Sequence, residues 1–347
     1  MNSQVTRTEC QLFSGISKKM TKLTPKQLIE LKRVADVTPS PCGAWLAVTV
    51  GRLNDEGTNY IHDLWKVLLT DDSPTVQLTF GESNDTSPCF RCDGALGFLS
   101  NRSLDIPDLT VDETPTVQVW LLSFLEGAEP KTLTNELLGV EQFKFASAGN
   151  VLAVITGVDV EALEKYQDKE ILRDEKDSSI RRYTALPIRR YNQWVSAISQ
   201  HLVVFDSEGN DRRDLTLKST IEHQNAGFDV SSDGSKMVIT SESVGEDRNN
   251  DSTLLIIDML SGSSSLLGRY PLTNLNNPQF SPDGRSIACE HHPRPKDHIS
   301  KSDLWVIDLG THNIKTLTKS WDRSPQLSGW IDNGQSLMVL RYFKWVS

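Results

Sequence analysis

The sequence predicts an all-β fold built from repeated units of four antiparallel strands, and three observations carry that prediction. A turn motif recurs: Asp283-Gly284 follows Asn277-Pro278-Gln279-Phe280-Ser281-Pro282, Asp233-Gly234 follows Gly227-Phe228-Asp229-Val230-Ser231-Ser232, and Asp93-Gly94 follows Ser87-Pro88-Cys89-Phe90-Arg91-Cys92. A short β-rich run comes after each glycine. A third run then stands at a steady distance: 21 residues from Gly43 to Leu64, 25 from Gly94 to Val119, and 20 from Gly234 to Leu254 and from Gly284 to Leu304. Units of this kind mark the blades of a β-propeller, in which each sheet buries its faces against its neighbours.

The first two strands of each unit meet at the turn. Asp-Gly and Asn-Gly favour tight hairpins, since both central residues tolerate positive φ. Weaker copies end at Gly43, Gly149 and Asn333-Gly334. Second strands are expected at Trp45–Val50, Ala95–Leu99, Val151–Ile155, Lys236–Thr240, Arg285–Cys289 and Ser336–Leu340. Third strands are expected at Asp63-Leu64-Trp65, Val117–Leu122, His201–Phe205, Leu254–Asp258 and Asp303-Leu304-Trp305. A short fourth strand ends in Leu-Thr, at Leu78-Thr79, Leu133-Thr134, Leu215-Thr216 and Leu317-Thr318. This gives five complete blades and part of a sixth. A β-sandwich with coincidental turns does not account for so many aligned units.

Two stretches break the period. Residues 1–30 precede the first blade, and Thr24-Pro25 followed by Lys26–Val34 predicts a short capped helix with proline at its first position. In the third blade, Gly149 to Leu202 spans 53 residues, so a segment within 157–200 is inserted between the second and third strands. Its stretch from Asp159 to Asp177 holds eight acidic residues, and spacings such as Glu161–Lys165 and Lys169–Arg173 predict a short exposed helix.

The net charge of −10 argues against duplex nucleic acid as a partner, because phosphate binding needs a basic face. No run approaches the roughly 18 apolar residues of a membrane span. The N-terminus lacks an apolar core of signal-peptide length. Five cysteines, at 10, 42, 89, 92 and 289, fit reduced thiols better than a disulfide framework. A cytoplasmic location is expected.

Phe280-Ser281-Pro282-Asp283-Gly284, Asp303-Leu304-Trp305 and Lys315-Thr316-Leu317-Thr318 resemble blades of the prolyl oligopeptidase family. The lead-in Leu23-Thr24-Pro25 through Leu31-Lys32-Arg33-Val34-Ala35-Asp36, with Pro39-Ser40-Pro41, is similar to that of its acylaminoacyl-peptidase and dipeptidyl-peptidase-like branch. So is the end of the insertion, Tyr183-Thr184-Ala185-Leu186-Pro187-Ile188-Arg189-Arg190-Tyr191-Asn192-Gln193-Trp194. The resemblance implies a seven-bladed propeller that precedes an α/β-hydrolase domain and restricts its serine-peptidase site to short peptides. It also implies that the catalytic serine, aspartate and histidine belong to the hydrolase domain, which is expected to lie outside this chain. The missing domain in cis, and short peptides through it, are then the expected partners.

The residues present agree with that division. A Gly-x-Ser-x-Gly elbow exposes a nucleophile on a strained turn, but Gly262-Ser263-Ser264-Ser265-Leu266 and Gly334-Gln335-Ser336-Leu337-Met338 both lack the second glycine. No triad, cofactor or metal is expected. His291-His292 with Asp297 and His298 reads as an inter-strand loop, and Cys89-x-x-Cys92 lacks the second pair that a zinc site needs. Trp65, Trp120 and Trp305 are expected to pack between blades. Arg189, Arg190, Tyr191 and Trp194 are the candidates for interdomain or peptide contact, because guanidinium groups pair bidentately with carboxylates. Without such contacts they would simply pair with the acids upstream and pack on the blade. The alternative function is a stand-alone interaction propeller of the TolB-like or WD-repeat kind.

Overall fold

The computed structural model describes Thr24, Gln27, Ile29 and residues 31–54, 56–69, 74–81, 83–103, 116–124, 129–159, 189–190, 193–194, 198–216, 227–244, 250–294 and 300–340. Among the described residues, five four-stranded antiparallel sheets and a final two-stranded sheet follow each other along the chain, with a second two-stranded sheet inserted within the third. Sheet one holds β1 (Arg33–Pro39), β2 (Trp45–Leu53), β3 (Tyr60–Leu68) and β4 (Val76–Gln77). Sheet two holds β5 (Asp85–Phe90), β6 (Leu96–Ser100), β7 (Gln118–Leu122) and β8 (Lys131–Thr132). Sheet three holds β9 (Val140–Phe145), β10 (Leu152–Asp159), β13 (Ile198–Phe205) and β14 (Arg213–Asp214), and between β10 and β13 lies the small hairpin β11 (Arg189–Arg190) and β12 (Gln193–Trp194). Sheet four holds β15 (Phe228–Val230), β16 (Lys236–Val244), β17 (Asn250–Asp258) and β18 (Ser264–Tyr270). Sheet five holds β19 (Thr273–Phe280), β20 (Ser286–Pro293), β21 (Asp303–Asp308) and β22 (Ile314–Thr316), and the sixth holds β23 (Gln326–Ile331) and β24 (Ser336–Leu340). The β-propeller read from the repeats is the observed fold.

Strand alternation explains the stacking. In a strand, neighbouring side chains point to opposite faces, and here each face meets a different blade. Leu152 and Val154 of β10 join Leu99, Val119 and Leu121 of sheet two, while Ala153 and Ile155 join Met237 and Ile239 of sheet four. Val238 of β16 faces the other way, onto Ile287 and Ile307 of sheet five. One apolar cluster fills each of the five blade junctions. Burying one Leu or Phe there contributes roughly 1.5–3 kcal/mol.

The Asp-Gly turns differ from the expected two-residue type, whereas at Asn333-Gly334 both residues do take positive φ, 52° and 86°. In the Asp-Gly turns only the glycine takes positive φ, +89° at Gly94, +74° at Gly234 and +68° at Gly284, and the aspartate before it does not. The loop is wider: Ser281 N donates to Ser286 O, and Gly284 N to Ser281 O, at 2.8 Å each. The aspartate closes it from inside, with Asp283 Oδ1 accepting from Arg285 N at 3.1 Å and Ser281 Oγ at 2.6 Å. Asp233 repeats this with Ser235 N and Ser231 Oγ. The dipeptide is therefore a side-chain-capped loop, with glycine for its left-handed position.

The Leu-Thr ending also has a mechanism. The leucine N–H continues the ladder, as Leu78 to Leu64 O at 2.7 Å and Leu317 to Leu304 O at 2.9 Å. The buried threonine hydroxyl then accepts the N–H of the same third-strand residue: Leu64 to Thr79 Oγ1 and Leu304 to Thr318 Oγ1 at 2.9 Å, and Leu202 to Thr216 Oγ1 at 2.6 Å. In sheet two Val119 N meets Thr134 Oγ1 in the same way, at 2.9 Å. A short strand is thereby sealed without an unpaired N–H.

The expected N-terminal helix is shorter than the sequence suggests. Thr24 and Gln27 exchange cap hydrogen bonds, Thr24 N to Gln27 Oε1 at 3.0 Å and Gln27 N to Thr24 Oγ1 at 3.3 Å. Arg33 and Val34 already belong to β1, because pairing with Gly51 and Val50 outweighs the helical spacing. The acidic run of the insertion and its expected helix lie outside the described residues.

Candidate functional site

The first strands of successive sheets pack on one another in the order β1, β5, β9, β15, β19, β23, and so form the inner wall of the propeller. Most of them carry an irregularity at a common offset before the turn. Register shifts fall between Val34 and Val37, Thr86 and Cys89, and Asn276 and Gln279. Ser87 and Asn277 take left-handed backbone there, φ 54° and 50°, each just before a proline. A bulge re-aims backbone and side-chain polar groups, and here they reach the adjoining inner strand. Thr38 Oγ1 donates to Pro88 O at 2.8 Å, Asn277 Nδ2 to Leu327 O at 2.8 Å, and Trp330 Nε1 to Gln279 O at 3.2 Å.

Asp229 is the centre of this wall. Its Oδ1 accepts from Lys144 Nζ at 2.8 Å and its Oδ2 from Phe280 N at 2.8 Å, so one carboxylate joins sheets three, four and five. Beside it opens a cleft of about 210 Å³, lined by Phe145, Ser147, Asp229, Ser232, Phe280 and Ser281 among others. Hydroxyls, a carboxylate and two aromatic rings suit the binding of a polar backbone. Ser147 Oγ already donates to Ser232 Oγ at 2.8 Å, so these hydroxyls hold each other rather than a base. Asp229 was not legible as a site residue beforehand. Its signal is positional: it stands five residues before its turn glycine, where other blades carry Cys89 and Gln279.

Of the expected contact residues, Arg189 and Arg190 form β11 and Trp194 ends β12. Their register sets Arg189 opposite Trp194 and Arg190 opposite Gln193. Tyr191 lies outside the described residues. The hairpin belongs to the insertion, which departs from β10 at Asp159 and returns at Ile198. Just beyond that return, buried His201 holds Asp214 through an Nδ1–Oδ2 contact of 2.7 Å. Burial pushes the Asp214 carboxyl up, but His201, Thr216 N–H and nearby Arg212 together bring it below its ordinary value.

Among the described residues no three His, Cys, Asp or Glu side chains are grouped so as to hold a metal ion. His298, His223 and Asp297 lie outside the described residues. His291 stacks on Trp305 at 3.8 Å, and burial pulls its pKa down to about 4. Cys89 packs against the junction of sheets two and three, and burial raises its thiol, while Cys92 is exposed in the turn. One arrangement was invisible to spacing. Ser302 Oγ lies 2.5 Å from His292 Nδ1, and His292 Nε2 lies 3.3 Å from Glu290 Oε2. This has the polarity of a serine–imidazole–carboxylate relay. Ser302 is only 5% exposed, and Glu290 Oε1 accepts Leu327 N at 2.8 Å, so the relay fastens sheet five to the sixth sheet. The two near-elbow serines are likewise structural: Ser264 starts β18 and Ser336 starts β24.

No family model matches the sequence. Dipeptidyl-peptidase 5 of Aspergillus fumigatus is 24% identical over 355 aligned positions, covering 91% of this chain and 47% of the relative. The chain thus spans about half the length of the curated relatives it matches. An acylaminoacyl peptidase solved in complex with Z-Gly-Gly-Phe-chloromethyl ketone superimposes with a TM-score of 0.61 at 14% identity, over 87% of this chain and 42% of that one. The β-propeller domain of the trilobed protease from Pyrococcus furiosus, described as having an open velcro topology, gives 0.53 at 12% identity over 85% of this chain and 75% of that one. The structures establish the fold, and the relatives place its sequence. The chain is a β-propeller, similar in sequence over 91% of its length to dipeptidyl-peptidase 5 and in fold to the propeller of an acylaminoacyl peptidase.

Proposed function

We propose that this chain is the substrate-gating portion of a serine peptidase that acts on short peptides, of the dipeptidyl-peptidase or acylaminoacyl-peptidase kind, and that it performs no chemistry itself. The observation that carries the reading is the inner wall. Its polar groups are held by neighbouring blades, and it presents a hydrogen-bonding cleft rather than an activated nucleophile. Peptide-bond hydrolysis needs a nucleophile, a base and an oxyanion site held together, and these would come from a hydrolase domain. The hairpin Arg189–Trp194 is the surface proposed to meet that domain. No described helix is long and apolar enough to cross a membrane. The free thiols of Cys42, Cys89, Cys92 and Cys289 support a cytoplasmic location.

The test is substrate length in the full-length protein. Turnover is expected to fall steeply as the peptide grows, and Asp229→Ala, which unties three inner strands, is expected to flatten that fall. Equal turnover of dipeptide and long-chain substrates by the parent protein would refute the gating reading.

A further inference from the structure

The turn of sheet one carries a thiol where other turns carry a carboxylate. Its backbone closes as in sheet five: Ser40 N donates to Trp45 O and Gly43 N to Ser40 O, at 2.9 Å each. Cys42 therefore stands in the place of Asp283, just before the glycine. Ser40 Oγ lies 3.4 Å from Cys42 Sγ, as Ser281 Oγ meets Asp283 Oδ1. The Ser40 hydroxyl and the Ala44 N–H hold this thiol below the usual cysteine range. A pocket that elsewhere holds a carboxylate thus favours the thiolate, which is the nucleophilic form.

A second thiol stands in the neighbouring turn. Thr38 Oγ1 donates to Pro88 O at 2.8 Å across the first two inner strands. Cys42 follows Thr38 by four residues, and Cys92 follows Pro88 by four. The same pair of positions in sheets three and four is filled by Ala148, one residue before Gly149, and Ser232, two before Gly234. There Ala148 N donates to Ser232 O at 2.7 Å. Residues so bonded stand about 5.5 Å apart at Cα, which is also the usual span of a disulfide. Sheets one and two are more open at this level. A Cβ at Gly43 would meet nothing within 4 Å, whereas one at Gly149 would lie 2.6 Å from Asp233 O. Cys42 and Cys92 are both exposed, while burial raises the thiols of Cys89 and, to about 12, Cys289.

We propose that Cys42 and Cys92 form a reversible disulfide by exchange with a low-molecular-weight disulfide such as oxidised glutathione, drawing the first two turns together as those of sheets three and four already are. The Cys42 thiolate attacks one glutathione sulfur, and the other glutathione leaves with the bonding pair. The Cys92 thiolate then attacks the Cys42 sulfur and expels the second glutathione. Two protein thiols are oxidised, one glutathione disulfide is reduced, and the two protons end on the released thiols. In a reducing compartment such a bond is transient and reports redox state.

The experiment treats the full chain with oxidised glutathione, blocks free thiols with N-ethylmaleimide, and maps tryptic peptides by mass spectrometry without reduction. Cleavage after Arg33, Arg52, Lys66, Arg91 and Arg102 releases Cys42, Cys89 and Cys92 on separate peptides. The linked pair 34–52 and 92–102 is expected as the main oxidised product, lost on adding dithiothreitol. It should form about tenfold or more faster than in urea, where the loop from Cys42 to Cys92 must close from a disordered chain. In Cys92→Ser, which lacks the second thiol, glutathione is expected to stay on Cys42. Glutathione on either cysteine of the parent chain with no linked pair overturns the proposal. So does a link between two chains, seen as a doubled mass, or linkage as fast in urea as in the folded chain.

Discussion

At the residue scale, two small devices recur in several blades and explain why the repeat is readable. The threonine of Leu-Thr is the acceptor for a third-strand N–H that would otherwise be buried and unpaired. Thr79→Val keeps the shape and removes that acceptor, and is expected to cost about 1–3 kcal/mol in urea unfolding. Thr79→Ser retains the oxygen and should recover most of the loss. The turn aspartates are the second device. The hydroxyl of Ser231, with the N–H and hydroxyl of Ser235, holds the Asp233 carboxyl down to about 2. A carboxyl depressed in the folded state stabilises the fold above its unfolded pKa of about 4, and that stabilisation is lost as pH falls through the folded value. The urea midpoint should therefore drop between about pH 4 and pH 2. Asp233→Asn, which keeps an acceptor but cannot titrate, should show a shallower drop in that window. Solvent exposure keeps the effect of one such turn small.

At the element scale, packing decides what sequence spacing cannot. Gly97 in β6 shows this: a Cβ there would lie 2.5 Å from Phe145 Cε2 and 3.0 Å from Phe143 Cε2, both of the next blade. Gly97→Ala is expected to lower stability by roughly 1–3 kcal/mol through overpacking, visible as a lower thermal midpoint. The second and third strands were legible because turn glycine and apolar run fall at fixed distances. β18 was not, since Ser263-Ser264-Ser265 and Gly268 blur its alternation and its Leu272-Thr273 ends 19 residues after Leu254, against 15 from Leu64 to Thr79 and 14 from Leu304 to Thr318, with Thr273 already in β19. The helix expected through Val34 was overrun by β1, whose partner Val50 lies far along the chain. The inner-wall site was hidden for the same reason. Lys144, Asp229 and Phe280 come from three blades, and only their stacking brings them together. Arg189, Arg190 and Trp194 were singled out as contact candidates by residue type and resemblance, and the hairpin that pairs their backbones is a local feature.

At the scale of the whole molecule, the blades repeat one solution with different cross-links. Sheets two and three share a charged knot in which Arg91 pairs with Asp93 and Glu208, and Lys131 with Glu208 at 2.6 Å. Sheets three to five share Asp229, and the last two sheets share Glu290. On the proposed reading the molecule divides labour, with the wall shaping access and the chemistry left to another domain. Ser302 is the place where that division is most exposed to refutation, because His292 and Glu290 already orient it. The most direct measurement is to treat this purified chain with a fluorophosphonate probe, while following p-nitroaniline release from dipeptidyl and acyl-aminoacyl p-nitroanilides. The account predicts neither covalent labelling nor turnover above the uncatalysed rate. Stoichiometric labelling of Ser302, with turnover abolished by the probe and by Ser302→Ala, would contradict it.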